Sequence, residues 1–526
     1  TGLPFVLAAD LLRTALAIRP ELPDVLPAQT LAMAGRLVPA LAAAQPDTAA
    51  PALDSPVAVI RMYVAIADIL RAAATPDGGS RPGEGSRASA GSGPAGVMVV
   101  EDVHWADSSS LGLLAYLVRR LADWPLLLVL SWQTEQGGRL RVLRTALNEA
   151  GGQGLGETIE PGPLDAKAIA VLLAADGMPA IDVARLLAET RGLPMLVHEY
   201  VEALRMAGAG AAAAGAGGDV TGGDDTGDWW PPASVRDLLR TRLQAVSEPT
   251  RQMLTAAAVL GSDNDADLLR VVSGRGEDEI VEAIDEALSR SLLTEIAPPA
   301  PDGAPSYGFP YDALRRTAYE SATLARRRLL HGRAASTLIR RYERDPAATR
   351  AATVAGHLQL AGRDTEAAQW WWRAAEVARE LYAHTEARAH LSRALALGYP
   401  QLPGRIAMGD VLVVLGRYQE ALAEFETAAA IAGGGDGAGG DGAGGDGTGG
   451  DGTAGDGSRA IQAGIEHKLA DVHHRLGDWD LAEAHLAVVT ELIEGTGPGR
   501  LARAEADRAV VAYRRGAADQ AAEFGR

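Results

Sequence analysis

The run Val97-Met-Val-Val-Glu-Asp-Val-His-Trp-Ala-Asp107 sets four apolar residues directly before two adjacent carboxylates, Glu101 and Asp102, with Asp107 a little further on. A short all-apolar run predicts a buried parallel strand. Carboxylates at the C-terminal edge of such a strand lie where open α/β sheets bind ligands. Two of them suit a hydrated Mg²⁺ carried by nucleotide phosphates, because Mg²⁺ prefers oxygen and shares its ligands with phosphate. The chemistry on offer is that of a Walker B strand. A buried strand followed by an ordinary acidic helix cap satisfies the same pattern.

The surrounding residues supply the elements that would position those acids. Asp107 and Ser108 can cap a helix whose Leu111, Leu114, Val118 and Leu121 share one face. Pro125-Leu-Leu-Leu-Val-Leu130 reads as the next strand. Strand, helix and strand within about 35 residues make a right-handed βαβ unit, so both strands are expected at a sheet centre. His104 and Trp105 read as packing, since no second histidine clusters with them for a metal. Asp107 is expected to cap the helix, with Trp105 packed beneath it.

The other half of a nucleotide site is missing from the 526 residues. Of 49 lysines and arginines only Lys167 and Lys468 are lysine, and neither lies in a glycine-rich loop. No GxxxxGK[ST] occurs, so nothing of P-loop type holds the β- and γ-phosphates.

Length suggests several domains, and 47% hydrophobic residues with 5% aromatics favour Ala- and Leu-rich helix. Cysteine is absent, which excludes disulfides and thiolate metal sites and suits a reducing, cytoplasmic compartment. No apolar run reaches the ~20 residues of a membrane span. No secretory signal is evident. The net charge of −19 argues against broad nucleic-acid binding by this segment. The chain begins at Thr1 without Met and runs into a helix, so a missing upstream piece is the expectation.

Three low-complexity stretches, 77–96, 207–228 and 432–458, offer little apolar surface to offset ordering entropy and are expected to be flexible. The third repeats Asp every five residues, from Asp436 to Asp456, without the apolar position of a calcium β-helix repeat. Helices are predicted over 4–17, 55–74 and 139–150, from Asp165 and Ile181, and over 195–206, with a short strand at 158–160. Four helices between Pro232 and Leu293, then strands near 292–296 and 306–309, follow a winged-helix order.

Beyond about Arg326 the pattern is helical and repetitive. Gly416-Arg-Tyr-Gln-Glu-Ala-Leu-Ala-Glu-Phe425 and Gly477-Asp-Trp-Asp-Leu-Ala-Glu-Ala-His-Leu486 match position for position, and segments from Gly362 and Gly516 follow more loosely. The two stand 61 residues apart, and removing the 27 residues of 432–458 leaves 34, the tetratricopeptide period. A plain helical bundle is the alternative. The arginines 326, 327, 328, 333, 340 and 341 read as a solvated surface, or else as an interface with an acidic partner or nucleic acid.

Glu101-Asp-Val-His-Trp-Ala-Asp107 followed by Ser110-Leu111, with Thr190-Arg-Gly-Leu-Pro-Met195, Pro232-Ala-Ser-Val-Arg-Asp-Leu-Leu239 and Arg327-Arg-Arg-Leu-Leu-His331, resembles the large ATP-binding bacterial regulators of the STAND class. These combine an AAA-type P-loop ATPase, a winged helix and tetratricopeptide repeats, as in LuxR-type and SARP-type transcriptional regulators. The resemblance implies a partial α/β ATPase domain over 1–206, a linker over 207–228, a winged-helix-like domain over 229–325 and an all-α solenoid over 326–526. It implies ATP or ADP with Mg²⁺ as cofactors. Glu101 would be the carboxylate on the Mg²⁺ side, and Asp102 would orient or activate the attacking water. Gly192 and Pro194 match the family's GxP motif against the nucleotide base or ribose, and serve equally as a helix terminator.

Two departures bear on turnover. Gln133 stands where the family carries an arginine sensing the γ-phosphate, and an amide cannot neutralise phosphate charge as a guanidinium does. Tyr311 in Phe309-Pro-Tyr-Asp312 stands where a histidine is usual, and Arg236, Arg240 or Arg242 are candidates to compensate. The resemblance therefore implies an ATP-binding signalling switch with slow hydrolysis, inactive without a P-loop. Its repeats would take a protein partner or inducer, its DNA contacts would lie outside this chain, and self-association would follow nucleotide state. A degenerate ATPase fold supporting a partner-binding repeat scaffold is the alternative.

Overall fold

β1 (Gly96–Val100) and β2 (Leu126–Leu130) pair in parallel, Gly96 opposite Leu126 and Val100 opposite Leu130, and the Ser108–Val118 helix lies between them in sequence. The computed structural model describes residues 4–43, 52–53, 55–75, 96–124, 126–133, 140–175, 183–207, 233–261, 264–296, 305–344, 351–433, 453–493 and 498–525. The βαβ unit is as its residues predict, but the fully buried sheet centre is not. Val100 is buried while Val97 and Val99 are 60% and 58% exposed. β2 alternates in the same way, with Leu127 and Val129 exposed and Leu126, Leu128 and Leu130 half-buried. One face of the sheet, with Met98, Val100, Leu128 and Leu130, packs on helices; the other meets no layer among the described residues. An all-apolar strand signals two covered faces, of which the described residues supply one.

The covering layer holds the largest fully buried side chains of this region. The Val6–Ile18 and Pro56–Ala74 helices, the short Leu22–Val25, Ala28–Ala34 and Pro39–Ala43 helices, and the Arg141–Gly152 helix share one core with Ser108–Val118. Leu12, Leu31, Met62, Ile66, Leu113, Leu114 and Leu143 fill it. Ser55 caps its helix by accepting from the Ala58 N–H at 3.3 Å. The strand expected at 158–160 is absent: the segment is irregular and exposed, with no ladder partner among the described residues. A single apolar residue, Ile159, between polar neighbours has no face to bury.

Helices Ala166–Ala175, Val183–Thr190 and Pro194–Ala207 enclose a small separate core of Ile169, Leu173, Leu186, Val197 and Val201. Four helices follow, Ala233–Gln244, Glu248–Leu260, Ala266–Ser273 and Glu277–Ser289. They lead to an antiparallel hairpin of β3 (Thr294–Ile296) and β4 (Ser306–Gly308) and to the Asp312–Ser321 helix. The core beneath them continues without a break through Leu330, Ala334 and Leu358 to Trp370 and Trp371. Arg242 is buried here, with one guanidinium nitrogen 3.4 Å from the Tyr311 hydroxyl and another donating to the Arg290 carbonyl at 2.9 Å.

From Leu324 onward each helix packs chiefly on the helices before and after it, which makes a helical repeat solenoid of tetratricopeptide type. All four repeat glycines serve one purpose. Gly362, Gly416, Gly477 and Gly516 have φ of 80°, 71°, 86° and 87°, the left-handed region that ends a helix. After each, the next N–H reaches back to the carbonyl five residues earlier: Arg363 to Leu358, Arg417 to Leu412, Asp478 to His473 and Ala517 to Ala512, each at 2.9 Å. Ala367, Ala421 and Ala482 are fully buried at the matching position, and Trp371, Phe425 and Leu486 fill the space beyond.

Of the stretches expected to be flexible, 77–95, 208–228 and 434–452 lie outside the described residues, and their margins are ordered. Gly96 opens β1, Ala207 closes a helix, and helices Tyr418–Gly433 and Thr453–Leu476 take in both ends of 432–458. Once nucleated, a helix extends into weak formers at small cost per residue.

Candidate functional site

The C-terminal ends of β1 and β2 are knitted together by Ser131. Its N–H donates to the Val100 carbonyl at 3.1 Å, its carbonyl accepts from the Val103 N–H at 2.9 Å, and its hydroxyl accepts from the Asp102 N–H at 2.9 Å. This turns the chain sharply after Glu101 and leaves both Glu101 and Asp102 exposed on the rim. Asp102 sits at φ 52°, a left-handed conformation that costs a non-glycine residue on the order of 1 kcal/mol.

His104 lies wholly buried beneath this rim. Its Nδ1 accepts from the Gln133 N–H at 3.4 Å and stands 3.9 Å from an Asp102 carboxylate oxygen. The structure thus brings Glu101, Asp102 and Gln133 to one edge, with the Gln133 side chain exposed. Among the described residues no group of three or more His, Asp or Glu side chains could hold a metal. Two neighbouring carboxylates fit a hydrated Mg²⁺ that takes its remaining ligands from phosphate and water. Neither lysine serves this edge: Lys468 pairs with Asp410 in the repeats, and Lys167 lies on the Ala166–Ala175 helix of the small core.

Gly192 and Pro194 lie in the turn between the Val183–Thr190 and Pro194–Ala207 helices, with Gly192 buried and Pro194 exposed, and neither is part of the core under the carboxylates. Gly192 has φ 72° and its carbonyl accepts from the Leu164 N–H at 2.7 Å; a Cβ there would collide with the Leu164 carbonyl oxygen. Pro194 opens the Pro194–Ala207 helix, where its missing N–H is harmless. The turn thus requires a glycine on backbone grounds.

Asp107 caps the Ser108–Val118 helix as its type predicts, accepting from the Ser110 N–H at 2.8 Å and the Ser110 hydroxyl at 2.6 Å. It also accepts from the Phe5 and Val6 N–H groups at 2.8 and 3.2 Å, so one buried carboxylate ties two helix starts. Trp105 does not pack beneath that helix; it is 46% exposed, because the turn through Val103 directs His104 inward instead. Sequence reasoning missed Glu386, whose carboxylate accepts from the Ser108 N–H at 2.8 Å and brings the repeat array onto the α/β unit. No local pattern marks a pairing between residues so distant.

Of the arginines expected on a solvated surface, Arg328, Arg333 and Arg340 are exposed, and Arg326, Arg327 and Arg341 are half-buried and engaged. Arg341 pairs with Asp265, Arg326 donates to Gln252 at 3.0 Å, and Arg327 donates to the Ala322 carbonyl at 3.1 Å.

No family model matches this chain. It is 27% identical over 317 residues to the uncharacterized protein R02095 of Rhizobium meliloti (strain 1021), a match covering 58% of this chain and 28% of that protein. The chain therefore spans well under half the length of that relative. Among solved structures it is similar to a Signal Transduction ATPase with Numerous Domains (STAND) protein with a tetratricopeptide repeat sensor, PH0952 from Pyrococcus horikoshii. That match has 10% identity and a TM-score of 0.34, and covers 88% of this chain and 69% of that one. It is also similar to YrrB, a tetratricopeptide protein with an unusual peptide-binding site, at 19% identity and a TM-score of 0.25, covering 37% of this chain and 81% of that one.

Proposed function

We propose that this chain is the switch portion of a nucleotide-responsive bacterial regulator, with the repeats receiving a protein partner or inducer. The observation that carries the reading is the convergence of Glu101, Asp102 and Gln133 at the C-terminal ends of two parallel strands, where α/β sheets bind ligands. Glu101 would stand on the Mg²⁺ side of ATP or ADP, and bound Mg²⁺ would offset phosphate charge. Asp102, held by Ser131, would orient a water, and Gly192 with Pro194 would border the base. Turnover would be slow, because Gln133 brings no positive charge to the rim. Nucleotide state would alter packing against the repeats and self-association, and any DNA contact would lie outside this chain. The scaffold reading is partner binding on the repeats without turnover.

The test uses protein expressed from the full reading frame and calorimetric titration with ATP and Mg²⁺. Mg²⁺-dependent binding that weakens about tenfold, near 1.4 kcal/mol, in Glu101→Gln supports the switch. Asp102→Asn should retain binding and lose turnover. Absence of nucleotide binding by the unaltered protein overturns the switch and leaves the scaffold.

A further inference from the structure

A concave surface of about 520 Å³ lies where the Ala266–Ser273 helix, the Leu324–Arg344 helix and the turn after Ala351–Leu360 meet. Arg328, Arg333, Arg340 and Arg363 line it together with Ser336 and Thr337. Residues 333, 336, 337 and 340 recur at helical spacing and so share one face. Arg363 reaches that face from the opposite wall, donating to the Ser336 hydroxyl at 3.2 Å, and Arg340 donates to the Thr337 hydroxyl at 3.1 Å.

The charges are not balanced from within. Arg363 has a carboxylate, Glu366, at 2.6 Å. Arg333 donates to the Val272 and Ser273 carbonyls at 3.3 Å, the C-terminal end of a helix, where a cation is favourable. Arg328, Arg333 and Arg340 have no carboxylate partner among the described residues, in a chain whose net charge is −19. Like charges gathered in a concavity repel one another and focus a field that an anion relieves.

We propose that this groove binds a small anion carrying two or more phosphoryl groups. Planar guanidinium forks match phosphate oxygens in pairs, and the Ser336 hydroxyl, which accepts from Arg363, can donate to an oxygen that remains. No aromatic ring lines it to stack a base, which disfavours single-stranded nucleic acid. Because its walls come from the hairpin-bearing module and from the first repeat helices, an occupant would clamp the two together. The site is separate from the strand ends that carry Glu101 and Asp102.

The test is calorimetric titration of the whole chain with pyrophosphate and tripolyphosphate, without Mg²⁺, at about 150 mM salt, where loose surface attraction is screened. Binding is expected, stronger for tripolyphosphate, and about tenfold weaker in the Arg328→Gln/Arg340→Gln double variant. Arg333 is left intact because it supports a helix end. Weakened binding in that double variant, whose residues lie outside the proposed nucleotide site, separates the two sites. Equal binding by the double variant, or none by the unaltered chain, overturns the proposal. Tighter binding of a glutamate-rich peptide than of tripolyphosphate overturns it too, in favour of an acidic protein partner.

Discussion

The Glu386 carboxylate accepts a hydrogen bond from the Ser108 N–H at 2.8 Å, across 278 residues of sequence. Asp107 serves the Ser110 N–H of the same helix start, so two buried carboxylates share one helix N-terminus. The positive end of the helix favours both. Burial pushes the Glu386 carboxyl above its ordinary value, and the charge of Asp107 adds to the effect. Burial, with the charges of Asp107 and Glu386, also raises the Tyr63 hydroxyl.

A carboxyl whose folded-state pKa lies above its unfolded value stabilises the folded state fully below the unfolded value, and that contribution is lost as pH rises through the folded one. The contact between the repeats and the α/β unit should therefore be firmest in mild acid. Unfolding midpoints measured from about pH 4 to 7 should show the unaltered protein losing stability, relative to Glu386→Gln, as pH rises. Parallel curves for the two proteins would exclude this coupling.

Asp107→Ala removes a cap and leaves the Phe5 and Val6 N–H groups without their acceptor. A loss of about 2–4 kcal/mol is expected, a cap and unpaired buried donors together. Hydrogen exchange should quicken in both the Val6–Ile18 and Ser108–Val118 helices. Change in one helix alone would show that the carboxylate does not join them.

His331 and His357 face each other, Nδ1 to Nδ1, at 2.9 Å, and the Tyr319 hydroxyl lies 3.0 Å from the His331 Nε2. Burial lowers both to about 4, with Arg327 adding to the effect at His331 and His331 at His357. Here the sign is opposite to that of Glu386: stability is present above the ordinary histidine value and is lost as pH falls toward about 4. His331→Phe combined with His357→Leu should flatten acid unfolding. An unchanged acid limb would show that neither histidine governs it.

Gly192→Ala should destabilise the small core by about 1–3 kcal/mol, since the residue is left-handed and faces the Leu164 carbonyl. Thermal unfolding without nucleotide is the measurement. An unaltered midpoint would remove the backbone explanation for this glycine.

Phe425 is buried against Gly409, where a Cβ would collide with the ring. Phe425→Ala should cost about 3–5 kcal/mol in the repeat array, and urea unfolding followed by helix content would record it. A loss below about 1 kcal/mol would mean the ring is not the spacer between these helices.

The repeats were legible because their cause is local. A glycine that must adopt positive φ, a small residue beside a neighbouring helix and a bulky one beyond recur in order, and short-range sterics enforce each. The strand, its two terminal carboxylates and the Asp107 cap are likewise local, and their types and spacing announce them. Packing partners distant in the chain are another matter. That one sheet face meets no described layer, that Trp105 turns outward while His104 is buried, and that Glu386 reaches Ser108 follow from how separate elements dock. The arginines show the same division: their number and helical spacing are written in the chain, while the groove that unites Arg340 with Arg363 exists only once three elements come together.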